Sequence, residues 1–147
     1  MAVVMLVMLT GCGGGTTSQK SAAPSESEQP WYREQTQQLA KLVSEANEAF
    51  AAKKQDDAAA LIKEAEPIAT KLLAVRQPSL TALEAASDLD DLYGRMLLAN
   101  KNFGWARMMF QKNQARWRHY EPVTPDVTAR RKQAEERIAA CDRGLAP

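Results

Sequence analysis

The chain has 147 residues and a formal net charge of +1, with 6% aromatic residues, two cysteines and one histidine. That length holds one ordinary domain with accessories, two cysteines exclude a disulfide framework, and the lone His119 excludes both a paired-histidine metal helix and a His-assisted nucleophile with its supporting shell. From residue 30 onward Ala, Leu, Glu, Lys, Gln and Arg dominate while β-branched residues are sparse, so an all-α fold is expected.

The first segment is an apolar run, Ala2 to Leu9, closing on Leu9-Thr10-Gly11-Cys12. It is far shorter than the roughly 20 residues of a bilayer-spanning helix. A strand here would stand alone in a helical chain, and a phosphate loop needs glycines feeding a helix, whereas GCGGGTTSQ runs into a polar tail. An apolar segment ending in small residues fits the close of a secretory leader. Leu9-Thr10-Gly11-Cys12 resembles the lipobox of bacterial lipoproteins. The resemblance implies that residues 1–11 are a signal peptide and that Cys12 becomes the mature N-terminus, carrying a thioether-linked diacylglycerol and palmitate-like acyl chains that anchor it stably in a membrane. No Lys or Arg precedes the run, so the expected translation start lies upstream. Gly13 stands where an Asp would favour inner-membrane retention, which favours the outer membrane. Residues 12–29 are small, polar and aperiodic, a tether with a root-mean-square reach of roughly 20–25 Å.

Residues 30–147 read as about five helices. Pro30 suits a first turn, and Leu39, Leu42, Val43, Ala46, Ala49 and Phe50 trace one stripe to about Lys53. Asp56 is the expected cap of a second helix striped by Ala58, Leu61, Ile62, Ala65, Ala69, Leu72 and Leu73, with Pro67 expected to kink or split it. Thr81 with Glu84 forms a capping-box signature for a third helix, whose stripe is Leu89, Leu92, Tyr93, Met96 and Leu97. Asn102 is the expected cap of a fourth, carrying Phe103, Ala106, Met109, Phe110, Asn113 and Trp117 on one side and Trp105 and Met108 on the other, the pattern of a sandwiched helix. Thr124-Pro125-Asp126 opens a fifth that Gly144 is expected to end. Cys141 on that helix reads as a small apolar residue, and Ala82 reads as a surface alanine.

At an offset of 48 residues Ala46 aligns with Gly94, Phe50 with Leu98, Lys53 with Lys101, Ala58 with Ala106, Leu61 with Met109 and Ile62 with Phe110. Two helical hairpins therefore share a pattern. Gly94, Leu97, Phe103, Ala106 and Phe110 in the second unit, and Ala46, Ala58, Ile62 and Ala65 in the first, resemble the tetratricopeptide family over residues 39–120. The period is 48 in place of 34, the early Trp and closing Pro are absent, and Lys53 and Lys101 stand where a glycine precedes the turn. A generic antiparallel bundle is the alternative, and since repeat arrays need three or more units, a capping fifth helix or a homodimer would supply the missing cover.

Residues 1–94 hold 8 basic and 13 acidic groups and residues 95–147 hold 11 and 5, giving −5 and +6. Such halves can complement one another within a chain or a dimer, or the basic one can hold an anionic partner. The candidate basic face comprises Arg116, Arg118, Arg130, Arg131 and Lys132. Arg116-Trp117-Arg118-His119-Tyr120 interleaves bases with aromatics as nucleic-acid binders do, but Trp117 and Tyr120 sit on the core stripe, so no nucleic acid is expected and the arginines read as solvated. Asp88, Asp90 and Asp91 lack the glycine of a calcium loop and read as a solvated helix face. The tetratricopeptide resemblance implies a concave groove displaying Asn47, Asp91 and Arg95, suited to an extended envelope peptide with an acidic group; the alternative is that Arg95 merely pairs with Asp91 one turn away. The expected function is a protein-binding adaptor in the cell envelope, with a binder of anionic glycan or lipid as the alternative. No enzyme activity, cofactor or metal is expected.

Overall fold

The computed structural model describes residues 25–147, and the lipobox Leu9 to Cys12 lies outside the described residues. After a short 3-10 turn at Glu26–Glu28, five α-helices follow: α1 (Pro30–Ala51), α2 (Gln55–Leu73), α3 (Leu80–Ala99), α4 (Phe103–Arg118) and α5 (Pro125–Leu145). The fold is all-α, and there is no strand among the described residues. α1 pairs with α2, α3 with α4, and α5 lies along α4, while α3 also packs on α1 and α2.

The 48-residue offset is visible in the backbone. Both hairpin turns place a lysine at positive φ, Lys53 at 63° and Lys101 at 59°. In the first turn Lys53 N–H donates to Phe50 C=O at 3.0 Å and Lys54 N–H to Ala49 C=O at 2.9 Å; in the second, Lys101 N–H donates to Leu98 C=O at 3.0 Å and Asn102 N–H to Leu97 C=O at 2.9 Å. Every partner is displaced by 48. These are Schellman closures, which satisfy the last carbonyls of α1 and α3. Lysine in this left-handed conformation is less favourable than glycine.

Several sequence expectations about helix ends are corrected. Lys54 caps α2, and Asp56 and Asp57 lie in its first turn, where carboxylates oppose the positive end of the helix dipole. The tight turn leaves room for only one residue between the closure and the helix. Ser79, not Thr81, caps α3, its Oγ accepting from Ala82 N–H at 3.2 Å; this starts the helix two residues earlier and buries Ala82, which is no surface alanine. α2 runs unbroken through Pro67, an exposed position whose missing donor leaves a carbonyl to water. Thr124 caps α5 as expected, its Oγ1 accepting from Val127 N–H at 3.2 Å. Gly144 does not end α5 but sits within it, against the Phe103 ring, where a Cβ would collide.

Tyr32 joins three helices at one end of the bundle. Its hydroxyl donates to Leu72 C=O at 3.2 Å and accepts from Ser79 N–H at 3.1 Å. One buried phenol thus satisfies a carbonyl at the end of α2 and the amide that precedes α3, both groups that helix ends leave unpaired. The main apolar cluster gathers residues of α1, α2 and α3, including Leu39, Ala46, Ile62, Leu72, Leu92 and Met96. A second, smaller cluster of Ala106, Phe110 and Cys141 joins α4 to α5.

Candidate functional site

The groove residues expected from the sequence do meet. Arg95 Nε donates to Asp91 Oδ2 at 2.8 Å, and Arg95 Nη2 donates to Asn47 Oδ1 at 2.6 Å. Asn47 and Arg95 are 48 residues apart, the same position in the two hairpins. The guanidinium also lies over the Phe50 ring, 5.7 Å from its centroid, a cation–π placement. Both readings of Arg95 hold together in this geometry: it pairs with Asp91 on its own helix and also reaches across to α1. Asp91 has a second cation near it, Arg137 of α5, whose Nε stands 3.5 Å from Oδ1 and finds no hydrogen-bond acceptor among the described residues.

These side chains close one end of a groove between α1 and α3. A recess of about 280 Å³ holds Ala40, Val43, Asn47, Asp91 and Arg95. It shares Ala40, Val43 and Asp88 with a larger hollow of about 650 Å³ that extends past Thr36, Glu84 and Arg130 to Tyr32 and Ser79. Small apolar side chains form its floor, and both charge signs appear on its rim. On the other face of α3 a cleft of about 450 Å³ lies between α2 and α4, lined by Leu73, Leu89, Asp90 and Tyr93 among others.

The acidic run is not the solvated face that its charge suggests. Asp90 is 5% exposed, with Lys112 Nζ donating to Oδ1 at 2.8 Å. Arg116 Nη2 lies 2.7 Å from Oδ2, close as an ion pair but without hydrogen-bond alignment. Asp88 accepts from Arg130 Nη1 at 2.7 Å, so it ties α3 to α5. Asp88 and Asp91, three residues apart on one side of α3, meet Arg130 and Arg137 of α5, whereas Asp90 points to Lys112 and Arg116 of α4. Three acidic groups of the first half, Asp88, Asp90 and Asp91, thus meet five basic groups of the second within one chain.

That pairing also takes apart the expected basic face. The Arg116 side chain is 8% exposed and committed to Asp90, so it is not a solvated arginine. Arg130 serves Asp88 and Asp126; burial opposes its charge, but these two hydrogen-bonded carboxylates outweigh it and raise its pKa above the ordinary value. Arg131 donates from Nε to Trp117 C=O at 2.8 Å and from Nη2 to Tyr120 C=O at 3.1 Å, covering carbonyls at the end of α4. Arg118 and Lys132 stay at the surface.

Ser87, which no pattern in the sequence announces, is the hub of a buried polar network. Its Oγ donates to Asn113 Oδ1 at 2.6 Å and accepts from Trp117 Nε1 at 2.8 Å, while Asn113 Nδ2 donates to the Ser87 carbonyl at 3.2 Å. Cys141 is fully buried. Burial first, and the Asp142 charge second, raise its thiol pKa against the opposing pull of Arg107, which keeps it a neutral apolar group. α4 is not sandwiched: Trp105 is 64% exposed and Met108 43%.

Among the described residues no group of three or more His, Cys, Asp or Glu side chains is placed to hold a metal ion, and no helix is long and apolar enough to cross a membrane. Compared with known proteins, the chain matches no family model, no curated protein and no solved structure.

Proposed function

We propose that the chain is a lipid-anchored lipoprotein that acts as a protein-binding adaptor in the bacterial cell envelope, holding an extended peptide in the groove between α1 and α3. The observation that carries this reading is the groove itself: a long hollow with an apolar floor at Ala40 and Val43 and hydrogen-bonding groups along its edges. Extended peptides suit such a surface because side chains enter the apolar floor while backbone groups meet polar edges. Arg95 Nε and Nη2 are occupied, which leaves Nη1 to meet a ligand carboxylate beside Asn47. The tetratricopeptide-like pattern and the lipobox support the adaptor and its address respectively. The alternative, an anionic glycan or lipid held through Arg116, Arg130 and Arg131 in place of a peptide partner, draws less support because these three are engaged internally.

Two substitutions test the halves of this reading separately. Cys12→Ala is expected to move the protein out of the membrane fraction while circular dichroism stays helical; retention in the membrane fraction would sink the anchoring. Ala40→Trp fills the groove from an exposed position that both hollows share. It should abolish co-purification of partners from native membranes, with Lys132→Glu on α5 as the contrast. Loss of partners with Lys132→Glu alone would transfer the weight to the anionic-surface reading.

A further inference from the structure

Among the described residues the outward face of α4 carries the most exposed large apolar side chain, Trp105. Trp105 and Met108 lie one turn apart on the same side of the helix, at 64% and 43% exposure. Lys112 continues the stripe one turn further, and Lys101 precedes it. Residues 101–120 contain five Lys or Arg residues and no Asp or Glu. Three of the five are partly neutralised from elsewhere, Lys112 and Arg116 by Asp90 and Arg107 by Asp142. Five cations against two carboxylates leave +3, and Lys101 and Arg118 have no ion-pair partner among the described residues. Leu145, also exposed, sits at the same end of the α4–α5 pair, as the contact between Phe103 and Gly144 shows.

We propose that this stripe, Trp105 and Met108 with the unpaired Lys101 and Arg118 beside them, is a contact surface for an anionic lipid bilayer. An exposed tryptophan suits the headgroup boundary, where its ring is buried and its N–H stays wet. Lys101 and Arg118, which no carboxylate holds among the described residues, extend aliphatic stems beside the apolar strip and place their charged heads among the lipid phosphates, while Lys112 stays with Asp90. A helix with an apolar strip and a net basic border lies flat in such an interface. A second copy of the chain is the poorer occupant, since a two-fold contact through α4 would set the same unpaired cations against one another. The groove between α1 and α3 lies on other elements and stays free. The inference rests on the anchored reading only for its strength: a tether raises the local concentration of a weak contact, and 18 residues from Cys12 to Pro30 span up to about 60 Å, enough to lay α4 on the surface that holds the lipid.

The test uses residues 13–147, so that neither the apolar run of residues 2–9 nor an acyl chain contributes, and vesicles of phosphatidylethanolamine and phosphatidylglycerol beside vesicles of phosphatidylcholine. The protein should float with the phosphatidylglycerol vesicles at millimolar lipid, and less so in high salt. Brominated lipid should quench a component of tryptophan emission that is missing in Trp105→Phe, which keeps the fully buried Trp117 and the half-buried Trp31. Gly104→Glu is the decisive variant: a Cβ at Gly104 meets nothing within 4 Å, so the new side chain starts in open space and brings an acid beside the strip, with circular dichroism as the check on folding. It should lower vesicle binding about tenfold, as should Trp105→Ala with Met108→Ala. Absence of flotation, flotation unchanged by Gly104→Glu, or Trp105 emission indifferent to brominated lipid would each overturn the proposal, as would dimerisation through Trp105 in its place. Mass spectrometry of native Cys12 judges the anchor independently of all these outcomes.

Discussion

Ala46 and Ile62 share a continuous apolar cluster with α3 in the first hairpin. At the equivalent places in the second, Gly94 meets the ring of Phe110 so closely that a Cβ would stand 2.5 Å from a ring carbon. The exchange of Ala and Ile for Gly and Phe keeps the volume and changes the partition between the helices. Around it the chemistry diverges. α1 and α2 are held by aliphatic side chains, whereas α3 and α4 are held by the Ser87–Asn113–Trp117 network and by Asp90 with its two cations, and α5 is fastened to α4 by Arg131 on the carbonyls that end α4. One backbone plan thus supports two kinds of adhesion, one non-directional and one that demands correct partners.

The sharpest way to break that comparison is to remove one partner of a buried pair. Asp90→Ala leaves Arg116 charged, buried and uncompensated, and is expected to cost about 3–5 kcal/mol in urea denaturation. The solvated pair Lys41–Glu45 on α1, 3.8 Å apart, is the contrast: Glu45→Ala should cost under about 1 kcal/mol. A small loss at Asp90 would show that the second hairpin is held by packing after all.

Packing is tested next at equivalent positions. Ala58 and Ala106 are both fully buried at the start of a second helix, and Leu at either should overpack the contact and cost roughly 1–3 kcal/mol. Ala115, exposed on α4, should accept the same change. Neutral results at both buried sites would undo the equivalence of the hairpins.

The smallest effect is a gain. Lys53→Gly and Lys101→Gly relieve the left-handed turn conformation and should each raise stability by about 1 kcal/mol, read as a higher unfolding midpoint. Equal gains would show that the two closures are energetically alike, and a gain at one alone would separate them.

Helix number, order and approximate bounds were legible because apolar spacing and turn residues are local properties of the chain. Pro30 and Thr124 announced their places. Ser79 was missed in favour of Thr81 because both begin a plausible cap and only the position of Tyr32, distant in sequence, selects one. The meeting of Asn47 with Arg95 was readable through the 48-residue offset. The burial of Asp90 was not, since a carboxylate on a helix face looks solvated until a neighbouring helix supplies Lys112 and Arg116. Trp105 misled in the opposite direction: an aromatic on a helix suggests a covered face, and only the path of α5 leaves this one open.

The Tyr32 hydroxyl has a mechanical consequence. Any pull transmitted from the N-terminal side enters the domain at the start of α1, and two residues inside that helix the load reaches a ring fastened to the end of α2 and to the amide that precedes α3. Force is therefore shared among three helices at once and does not peel α1 away one turn at a time. Shear or drag on a protein held by this end would meet the domain where it is cross-braced, and α5, at the other end of the chain, would carry almost none of the tension.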